Sequence, residues 1–481
     1  MASYSAPGVY VKDVPSGAQS IRQLSSSVGM LIGKTRSGKV GVPQLVTSWT
    51  DFINKYANGL DTPFMENDYL AYSVYGFFNN GGTQLYVGSV KKNGVKATFT
   101  QETGNKITAT ASTEGVWGNS IKIKIEKTSD WTEGSYEAVN VTVSVGTSDS
   151  VTVTDVTLEK WDSIMENSKV KAWLSVLSLG TGVTQIAEGT ITLANGSDGT
   201  ALGNSDYADA LTMADTILDE LTFIAIPGQT NSVVNLAIIN YAENNQLFPF
   251  IDMPLGSEVA DVKTYRRGIS TWTGALCYPW GKVNDPLTDN LKLVPTAGHM
   301  MGLYARTIEE RGIHKAAAGT SAQVRGFVEM ETPIAQSELG ILNVAGVIVI
   351  MSRPNAGIVS WGARSLNSSD STMKYVTDGI INLNIKKSIY VGTQYAVFEP
   401  NDSKLWANLR ATCKGFLETL RKDGTLKGDS PEEAYYVICD ETNNTEDTIN
   451  EGQCIIDIGY APVKPAEFII FRIAHSMATA E

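Results

Sequence analysis

The hydrophobic period of this sequence changes twice along the chain, and this change constrains the fold more than any other feature. Between residues 95 and about 195, four runs alternate apolar and polar residues with period two, which is typical of half-buried strands. These runs are KITATAS, NSIKIKIEK, VNVTVSV and SVTVTDVTL. One helical stretch, EKWDSIMENSKVKAWLSVL, interrupts them. The pattern predicts a β-rich module of about one hundred residues.

The sequence on both sides of this module follows an α/β plan. VGMLIG and TQLYVGSV are continuous apolar strands, and two helical stretches lie between them. The first helix is predicted to begin after Ser48, with Asp51 completing its cap, and to end at Gly59. Beyond the module, further apolar strands alternate with a helix: LTFIAIPG, NSVVNLAIINYAENNQ, FPFIDMP and GALCYPW. Such strands predict a largely parallel sheet that is covered on both faces.

The last third of the chain opens with the apolar run VAGVIVIMS and contains one long helical stretch, NDSKLWANLRATCKGFLETLRKDG. We expect Asn401 or Asp402 to cap this helix and Gly424 to end it. Apolar residues recur on one face at spacings of three and four: Trp406, Leu409, Cys413, Phe416 and Leu420. The other face is basic: Lys404, Arg410, Lys414, Arg421 and Lys422. A solvated surface explains such a face more often than a binding site does.

Both ends of the chain carry a β-prone segment that turn residues set apart. The N-terminal segment is Val9, Tyr10 and Val11, flanked by Pro7, Gly8, Pro15 and Gly17. The C-terminal segment is apolar on both faces, follows Pro462 and Pro465, and includes Phe468, Ile469, Ile470, Phe471 and Ile473. Such a strand promotes aggregation when it is left at an open sheet edge. From composition alone, pairing within the chain and pairing with a partner are equally good hypotheses.

Composition weighs against several classes of function. The net charge of the 481 residues is −13, whereas nucleic-acid binding needs a basic surface. The four cysteines and three histidines follow no metal-binding spacing, so we expect reduced thiols and no metal site. The sequence shows neither a secretory signal pattern nor an apolar run long enough to span a bilayer. We therefore expect a protein that folds in a cytoplasm without membrane insertion.

The stretch GMLIGKTRSGK invites comparison with a phosphate-binding loop. That motif has the form GxxxxGK[ST], and Val28 stands where its first glycine would be. The sequence also lacks the GxSxG motif of nucleophilic hydrolases. We expect no cofactor. An enzyme built on the α/β region, either a hydrolase or a nucleotide-binding protein, is the alternative hypothesis.

Eight stretches then occur together, in one order, along the chain. They are APGVYVKDVPSG, VTSWTDFINKYA, YLAYSVYGFFNNGGTQLYVGSV, EGVWGNSIKIKI, LVPTAGHMMGLYARTIEERGIHKAAAG, GIVSWGARSL, GTQYAVFEPNDSKLWANLR and APVKPAEFIIFRI. As a set they resemble the contractile tail sheath protein family of phages and R-type bacteriocins. Two regions depart from the family pattern. Asp378-Gly379 stands where members often carry a basic pair, and residues 128–190 match no family motif.

The resemblance implies an α+β multidomain fold: an α/β middle domain with an inserted β-rich domain, an α/β C-terminal domain and two extended strand-exchange arms. The expected boundaries follow the family order. They are an N-terminal arm at 1–25, the middle domain at 26–92 and 198–345, the inserted outer domain at 93–197, a tube-proximal domain at 346–460 and a C-terminal arm at 461–481.

The resemblance also implies a structural function and no enzymatic activity. Subunits would polymerise as hexameric rings around an inner tail tube, together with baseplate and tail terminator proteins, in a virion tail or bacteriocin particle assembled in the host cytoplasm. The two terminal strands would pair with neighbouring subunits, with the flanking Pro and Gly residues as hinges. Contraction would use stored conformational energy without ATP. The basic helix face at 404–422 would contact the tube or an adjacent subunit.

Overall fold

The computed structural model describes residues 21–470, except Asn58, Ser148, Arg267 and Trp272. The described chain divides into two units. The larger unit comprises residues 25–383 and 464–470, and the smaller unit comprises residues 21–24 and 384–463. Nine residues predicted to exchange strands or to act as hinges lie outside the described residues: Pro7, Gly8, Val9, Tyr10, Val11, Pro15, Gly17, Phe471 and Ile473.

The strands of the larger unit are numbered in chain order. They are β1 (Gly29–Gly33), β2 (Gln44–Val46), β3 (Leu85–Ser89), β4 (Lys96–Thr100), β5 (Thr108–Glu114), β6 (Ile121–Lys127), β7 (Val139–Val145), β8 (Asp149–Val156), β9 (Leu174–Ser178), β10 (Gly189–Thr192), β11 (Phe223–Ala225), β12 (Phe248–Asp252), β13 (Ala275–Tyr278), β14 (Gly281–Asn284), β15 (Leu291–Val294), β16 (Glu329–Met330), β17 (Val347–Arg353) and β18 (Gly357–Ser360). The smaller unit adds β19 (Tyr435–Ile438) and β20 (Asp457–Tyr460).

The α-helices are numbered in the same way. They are α1 (Trp49–Tyr56), α2 (Leu70–Asn79), α3 (Ser168–Trp173), α4 (Asn204–Asp209), α5 (Ser232–Asn244), α6 (Val259–Tyr265), α7 (Ala297–Arg311), α8 (Gln336–Val344), α9 (Val376–Gly392), α10 (Ser403–Lys422), α11 (Pro431–Ala434) and α12 (Glu446–Asn450). Short 3₁₀ helices cover Val116–Ser120, Leu158–Glu166, Ala210–Thr216 and Gln394–Ala396. The division between the two units falls within α9.

An eight-stranded sheet forms the centre of the larger unit, in the order β18-β17-β13-β12-β11-β1-β3-β2. Its six inner strands are parallel, and both edge strands are antiparallel to their neighbours. Strands β1, β3, β12 and β13 are buried along their whole length. This burial follows from their continuous apolar sequence, because both faces of a parallel sheet must be covered. The prediction of a largely parallel, covered sheet is confirmed.

Alternate residues of each strand contribute to two different apolar cores. Leu31 and Phe250 pack with helices α1, α2, α7 and α9, whereas Met30 and Ile251 pack with α4, α5, α6 and α8. Successive side chains of a strand point to opposite faces, so the two cores lie on the two sides of the sheet. The region is therefore a three-layer α/β/α fold.

One predicted boundary lies inside this sheet. Strand β17 pairs in parallel with β13, and β18 pairs with β17, so the eight-stranded sheet extends to Ser360. The larger unit continues to Leu383. The expected opening of the C-terminal domain at residue 346 stays a prediction, as do the other boundaries.

Residues 96–192 form two antiparallel sheets with the orders β4-β5-β9 and β10-β6-β7-β8. Strand β7 alternates buried and half-buried residues along VNVTVSV, as its period of two requires. The inward side chains share one core, which includes Trp117, Trp161 and Trp173. The predicted mixed α and β fold with several sheets is confirmed at this level.

The predicted helix caps are also in place. Ser48 accepts a hydrogen bond from the backbone N–H of Asp51 over 3.1 Å at the start of α1. Asp402, rather than Asn401, caps α10 by accepting from the N–H groups of Lys404 and Leu405. Beyond α10, Gly424 has a φ of +77°, which favours glycine at the end of a helix. The predicted apolar stripe of α10 is buried throughout.

Helices α2 and α7 approach each other closely through glycines. A Cβ atom added at Gly302 would lie 2.3 Å from the carbonyl oxygen of Phe77, and one at Gly76 would lie 2.4 Å from the His299 ring. His299 is fully buried and stacks on Phe327 with 4.1 Å between ring centroids. Only glycine permits this contact, so the sequences of the two helices fix their separation.

Candidate interaction surfaces

The last described residues are apolar and exposed. Phe468, Ile469 and Ile470 expose 71%, 77% and 78% of their surface. No strand pairing occurs after Pro462 within the described residues. Three consecutive exposed apolar side chains are uncommon on a folded protein, and such patches mark interaction sites or aggregation sites. We call Phe468–Ile470 the apolar tail.

Directly before the apolar tail, Glu467 is fixed by a buried arginine. The Arg364 Nε and Nη2 groups donate to the two carboxylate oxygens of Glu467 over 2.8 and 2.6 Å, and Lys374 Nζ lies 3.6 Å from the same carboxylate. Burial alone would raise the pKa of Glu467, but the hydrogen bonds and charge of Arg364 outweigh it and the pKa is lowered. Parallel bonds of this kind are among the stronger side-chain contacts in proteins.

A second charged contact lies three residues earlier. Lys464 Nζ is 3.9 Å from a carboxylate oxygen of Asp378 and donates to the backbone carbonyl of Ser371. The Asp378 carboxylate also accepts from the N–H of Tyr375 over 3.1 Å, at the start of α9. Pro465, a predicted hinge, therefore lies between two anchored side chains. We call Lys464 and Glu467, with the groups that hold them, the tail anchor.

Pro462, the other predicted C-terminal hinge, is part of local backbone pairing in the smaller unit. It forms a bridge with Leu426, and the neighbouring Val463 N–H donates to Thr425 over 3.1 Å. The chain is thus held by the backbone at Pro462 and by side chains at the tail anchor. The first residue after these contacts is Phe468.

Within its described residues, the smaller unit contains a two-stranded sheet. Strands β19 and β20 pair antiparallel from Tyr435↔Tyr460 to Ile438↔Asp457, and neither has a second partner strand among the described residues. Tyr436 and Ile438 are exposed and lie on one face, because they are two positions apart. A two-stranded sheet is marginal alone, and unpaired edges accept further strands. We call this sheet the open sheet.

The predicted basic face of α10 divides into engaged and exposed side chains. Arg410 donates to the carbonyl of Cys439 over 2.8 Å, and Arg421 binds both oxygens of Glu418 over 2.8 Å. Lys422 lies 3.7 Å from the same Glu418. Lys404 and Lys414 are exposed, and the described part of the chain gives them no ion pair.

The carboxyl ends of the parallel strands, where α/β enzymes bind ligands, hold structural carboxylates instead. Asp252 accepts from the N–H groups of Thr296, Ala297 and Gly228 over 2.8–3.2 Å and so caps α7. Asp68 accepts from Leu70 N–H over 2.8 Å at the start of α2. Burial raises the pKa of each carboxyl to about 6, although these hydrogen bonds oppose the rise.

A small cavity of about 160 Å³ near the end of β1 includes Lys34 and Thr35, the residues that resemble a phosphate-binding loop. Thr35 is buried and shares a hydrogen bond with Ser89 over 2.6 Å, and Lys91 is paired with Asp198 over 2.6 Å. Among the described residues, no group of His, Cys, Asp or Glu could hold a metal ion. In the same residues, no helix combines the length and apolarity needed to cross a bilayer.

The tail anchor could not be predicted from the sequence. Glu467 is a single charge within an apolar segment, and its partner Arg364 lies 103 residues away. The open sheet was missed as well, since two four-residue strands give a weak signal. Taken together, an apolar tail, an open sheet and carboxylates that cap helices or anchor the tail are the features of a structural protein with surfaces for partners.

Comparisons with known proteins identify the family of structural proteins to which this chain belongs. A family model of the phage tail sheath protein central domain matches residues 200–366, and one of the phage tail sheath C-terminal domain matches residues 368–476. Together the two matches cover more than half of the chain. This chain belongs to the phage tail sheath protein family, whose members are structural proteins and not enzymes.

Individual relatives are distant in sequence. The tail sheath protein of Burkholderia phage BcepMu is 25% identical over 238 residues, which cover 46% of this chain and 48% of the relative. That of Enterobacteria phage T4 is 20% identical over 355 residues, or 73% of this chain and 49% of the relative. The chain thus spans about half the length of these curated relatives.

Solved structures share the fold over nearly the whole chain. The helical sheath of the anti-feeding prophage in its contracted state gives a TM-score of 0.63 at 20% identity, covering 98% of this chain and all of that one. A sheath tail protein from Desulfitobacterium hafniense gives a TM-score of 0.64 at 16% identity, covering 90% and 93%. At these identities the agreement shows a common fold.

Proposed function

We propose that this chain is the structural subunit of a contractile tail sheath, which polymerises as hexameric rings around an inner tail tube. The observation that carries this proposal is the exposed apolar tail beside an anchored segment, in a chain of the tail sheath family. The particle is a phage tail or an R-type bacteriocin, assembled in the cytoplasm of the bacterial host.

Strand donation explains why the apolar tail is exposed in a single chain. Among the described residues, the tail makes no strand pairing, and β19 and β20 of a neighbouring copy have no further partner strand. Adding the tail as a strand pairs both sets of backbone groups and places apolar side chains beside Tyr436 and Ile438. This is β-augmentation, in which main-chain hydrogen bonds supply affinity and alternate side chains supply specificity. The segment at Val9–Val11 contributes a second strand in the same way.

Contraction follows from this connectivity. The larger unit, with its closed three-layer core, moves as a rigid body, while the donated strands keep neighbours joined through a hinge motion. New contact between subunits supplies the energy, without ATP. A patch of roughly 100 Å² at ~25 cal/mol per Å² contributes about 2.5 kcal/mol per subunit, and the lattice multiplies that gain.

The partners of the subunit are further copies of itself, the tube protein, and baseplate and terminator proteins. Of the predicted basic contact residues, Lys404 and Lys414 are best suited to face the tube or a neighbour, because Arg410 and Arg421 are already engaged. Exposed ion pairs contribute only about 0–1 kcal/mol each, so such contacts release readily when the sheath contracts.

Negative-stain electron microscopy of the purified chain tests the proposal. We expect hollow tubes from the full chain and monomers from a chain that ends at Glu467. A variant of full length, Phe468→Ser, Ile469→Ser and Ile470→Ser, controls for chain length and keeps the tail anchor.

Thermal unfolding of all three proteins completes the test. We expect equal midpoints, because the altered residues have few contacts in the single chain. Tubes formed by the truncated chain, or monodisperse particles from the full chain under every condition of assembly, would overturn strand donation.

A further inference from the structure

Phe398 is the most exposed large apolar residue among those the structure describes. Its relative exposure is 103%, and the preceding Val397 is also exposed. The backbone of Phe398 has a φ of +68°, in the left-handed region that bulky residues rarely adopt. Glycine or asparagine would adopt this φ at lower cost. Neither packing nor turn formation explains an exposed aromatic side chain on a strained backbone. The position therefore suggests a functional role.

The loop around Phe398 is held in place from both sides. Val397 N–H donates to the carbonyl of Gln394 over 3.3 Å, and Glu399 N–H donates to that of Ala396 over 3.2 Å. Beyond Pro400, the Asn401 side chain accepts from Trp406 Nε1 over 2.8 Å and donates to the Gln453 carbonyl over 2.7 Å. The ring is therefore held outward by structure. Rigidly presented aromatic side chains are typical anchors of protein interfaces.

The loop also lies beside the open sheet. Tyr395 and Ala396 belong to the apolar cluster that contains Cys439 and Ile456. Cys439 directly follows strand β19, and Ile456 directly precedes β20. Ala396, two residues before Phe398, therefore packs at the end of the open sheet. This is the sheet that accepts a donated strand in the proposed function.

We propose that Phe398 anchors the apolar tail of a second copy of this chain, a role that rests on the proposed strand donation. The tail brings Phe468, Ile469 and Ile470, which are mostly exposed in the single chain. The charges agree as well. Glu399 is exposed next to Phe398, and Arg472 follows the apolar tail by two residues in the sequence.

Assembly of the full chain tests this anchor. In the Phe398→Ala variant, we expect the critical concentration for tube formation to rise about thirtyfold, the effect of losing one interface anchor. Phe398→Gly should impair assembly equally but leave the unfolding midpoint unchanged or higher, because glycine relieves the strained φ. Val344→Ala, which truncates an exposed apolar residue of the larger unit, is the matched control and should assemble normally.

Cross-linking tests the identity of the occupant. Cys454 is the exposed cysteine among the four, so both variants carry Cys454→Ser. Chains with Phe398→Cys are mixed with chains carrying Ile470→Cys, assembled above the critical concentration of Phe398→Ala so that loss of the ring does not prevent assembly, and then oxidised. We expect dimers joined between the two kinds of chain on a non-reducing gel. Normal assembly of Phe398→Ala overturns the anchor, and impaired assembly without cross-linked dimers assigns Phe398 to another partner and overturns this occupant.

The two proposals fail in different ways. If strand donation is wrong, the chain that ends at Glu467 still forms tubes. If only the anchor is wrong, that truncated chain stays monomeric while Phe398→Ala forms tubes at the wild-type concentration.

Discussion

The eight-stranded sheet and the open sheet differ in how their faces are covered. In the large sheet, helices cover both faces, and inner residues such as Phe223 and Phe250 are fully buried. In the open sheet, two strands share four residue pairs and leave Tyr436 and Ile438 exposed. The difference teaches that one chain can bury one sheet completely and leave another with exposed apolar side chains, which a neighbouring copy would complete in the proposed assembly.

The most direct test of this difference truncates one phenylalanine in the eight-stranded sheet and one in the apolar tail. Phe250→Ala removes a buried ring between two layers and should lower the free energy of unfolding by about 3–5 kcal/mol. Phe468→Ala should leave that free energy within about 0.5 kcal/mol and impair tube formation instead. Urea denaturation and electron microscopy of both variants separate the two effects. A large loss of stability in Phe468→Ala would show that the apolar tail packs at home.

A second test concerns how tightly the closed region is packed. Gly302→Ala places a methyl group against the backbone of Phe77 and should cost about 1–3 kcal/mol. Gly340→Ala in α8 is the matched control, because an added Cβ there meets nothing within 4 Å. The control should stabilise the chain by about 0.5–1 kcal/mol through higher helix propensity. Equal effects of the two substitutions would contradict the close contact between α2 and α7.

The pH dependence of stability tests the same core. Burial lowers the pKa of His299 to about 3, whereas the unfolded chain binds this proton near pH 6.5. Its stabilising contribution is therefore complete above pH 6.5 and is lost as the pH falls toward 3. His299→Gln should flatten the slope of unfolding free energy between pH 6 and 4.5 by up to about 1.4 kcal/mol per pH unit.

The carboxyls of Asp68 and Asp252 give the opposite slope. Their pKa values are raised to about 6, so the stability that they contribute is lost as the pH rises from about 4 to 6. Both are present in wild type and in His299→Gln, so they cancel in the difference between the two proteins. Parallel pH profiles would mean that water reaches His299 in the folded chain.

The smallest effect is expected on the basic face of α10. Lys404→Glu combined with Lys414→Glu should change monomer stability by less than about 0.5 kcal/mol. It should weaken binding of the sheath to the tube by about 0–1 kcal/mol per residue and reduce the salt dependence of co-assembly. Sedimentation of sheath with tube at several salt concentrations measures both. Unchanged binding and salt dependence would show that this face only meets solvent.

Local sequence signals predicted much of this fold, because helix caps and strand periods depend on residues close together in the chain. Ser48 and Asp402 cap helices through contacts two or three residues away, and a strand such as VNVTVSV carries its own period. The sheet that β17 joins could not be predicted, because a buried strand has the same sequence whichever domain it belongs to. Phe398 was quoted only as part of a family motif, since exposure cannot be inferred from residue type.

The tail anchor has a mechanical consequence. A pull on Phe468 reaches the body of the subunit through the Glu467 carboxylate, whose two oxygens are held by one planar guanidinium. Two hydrogen bonds that are loaded in parallel must break together, whereas bonds that are loaded one after another break one at a time at lower force. Tension on the tail in the proposed assembly would therefore pass to Arg364, and strand β20, which precedes the anchor in the chain, would not be drawn out.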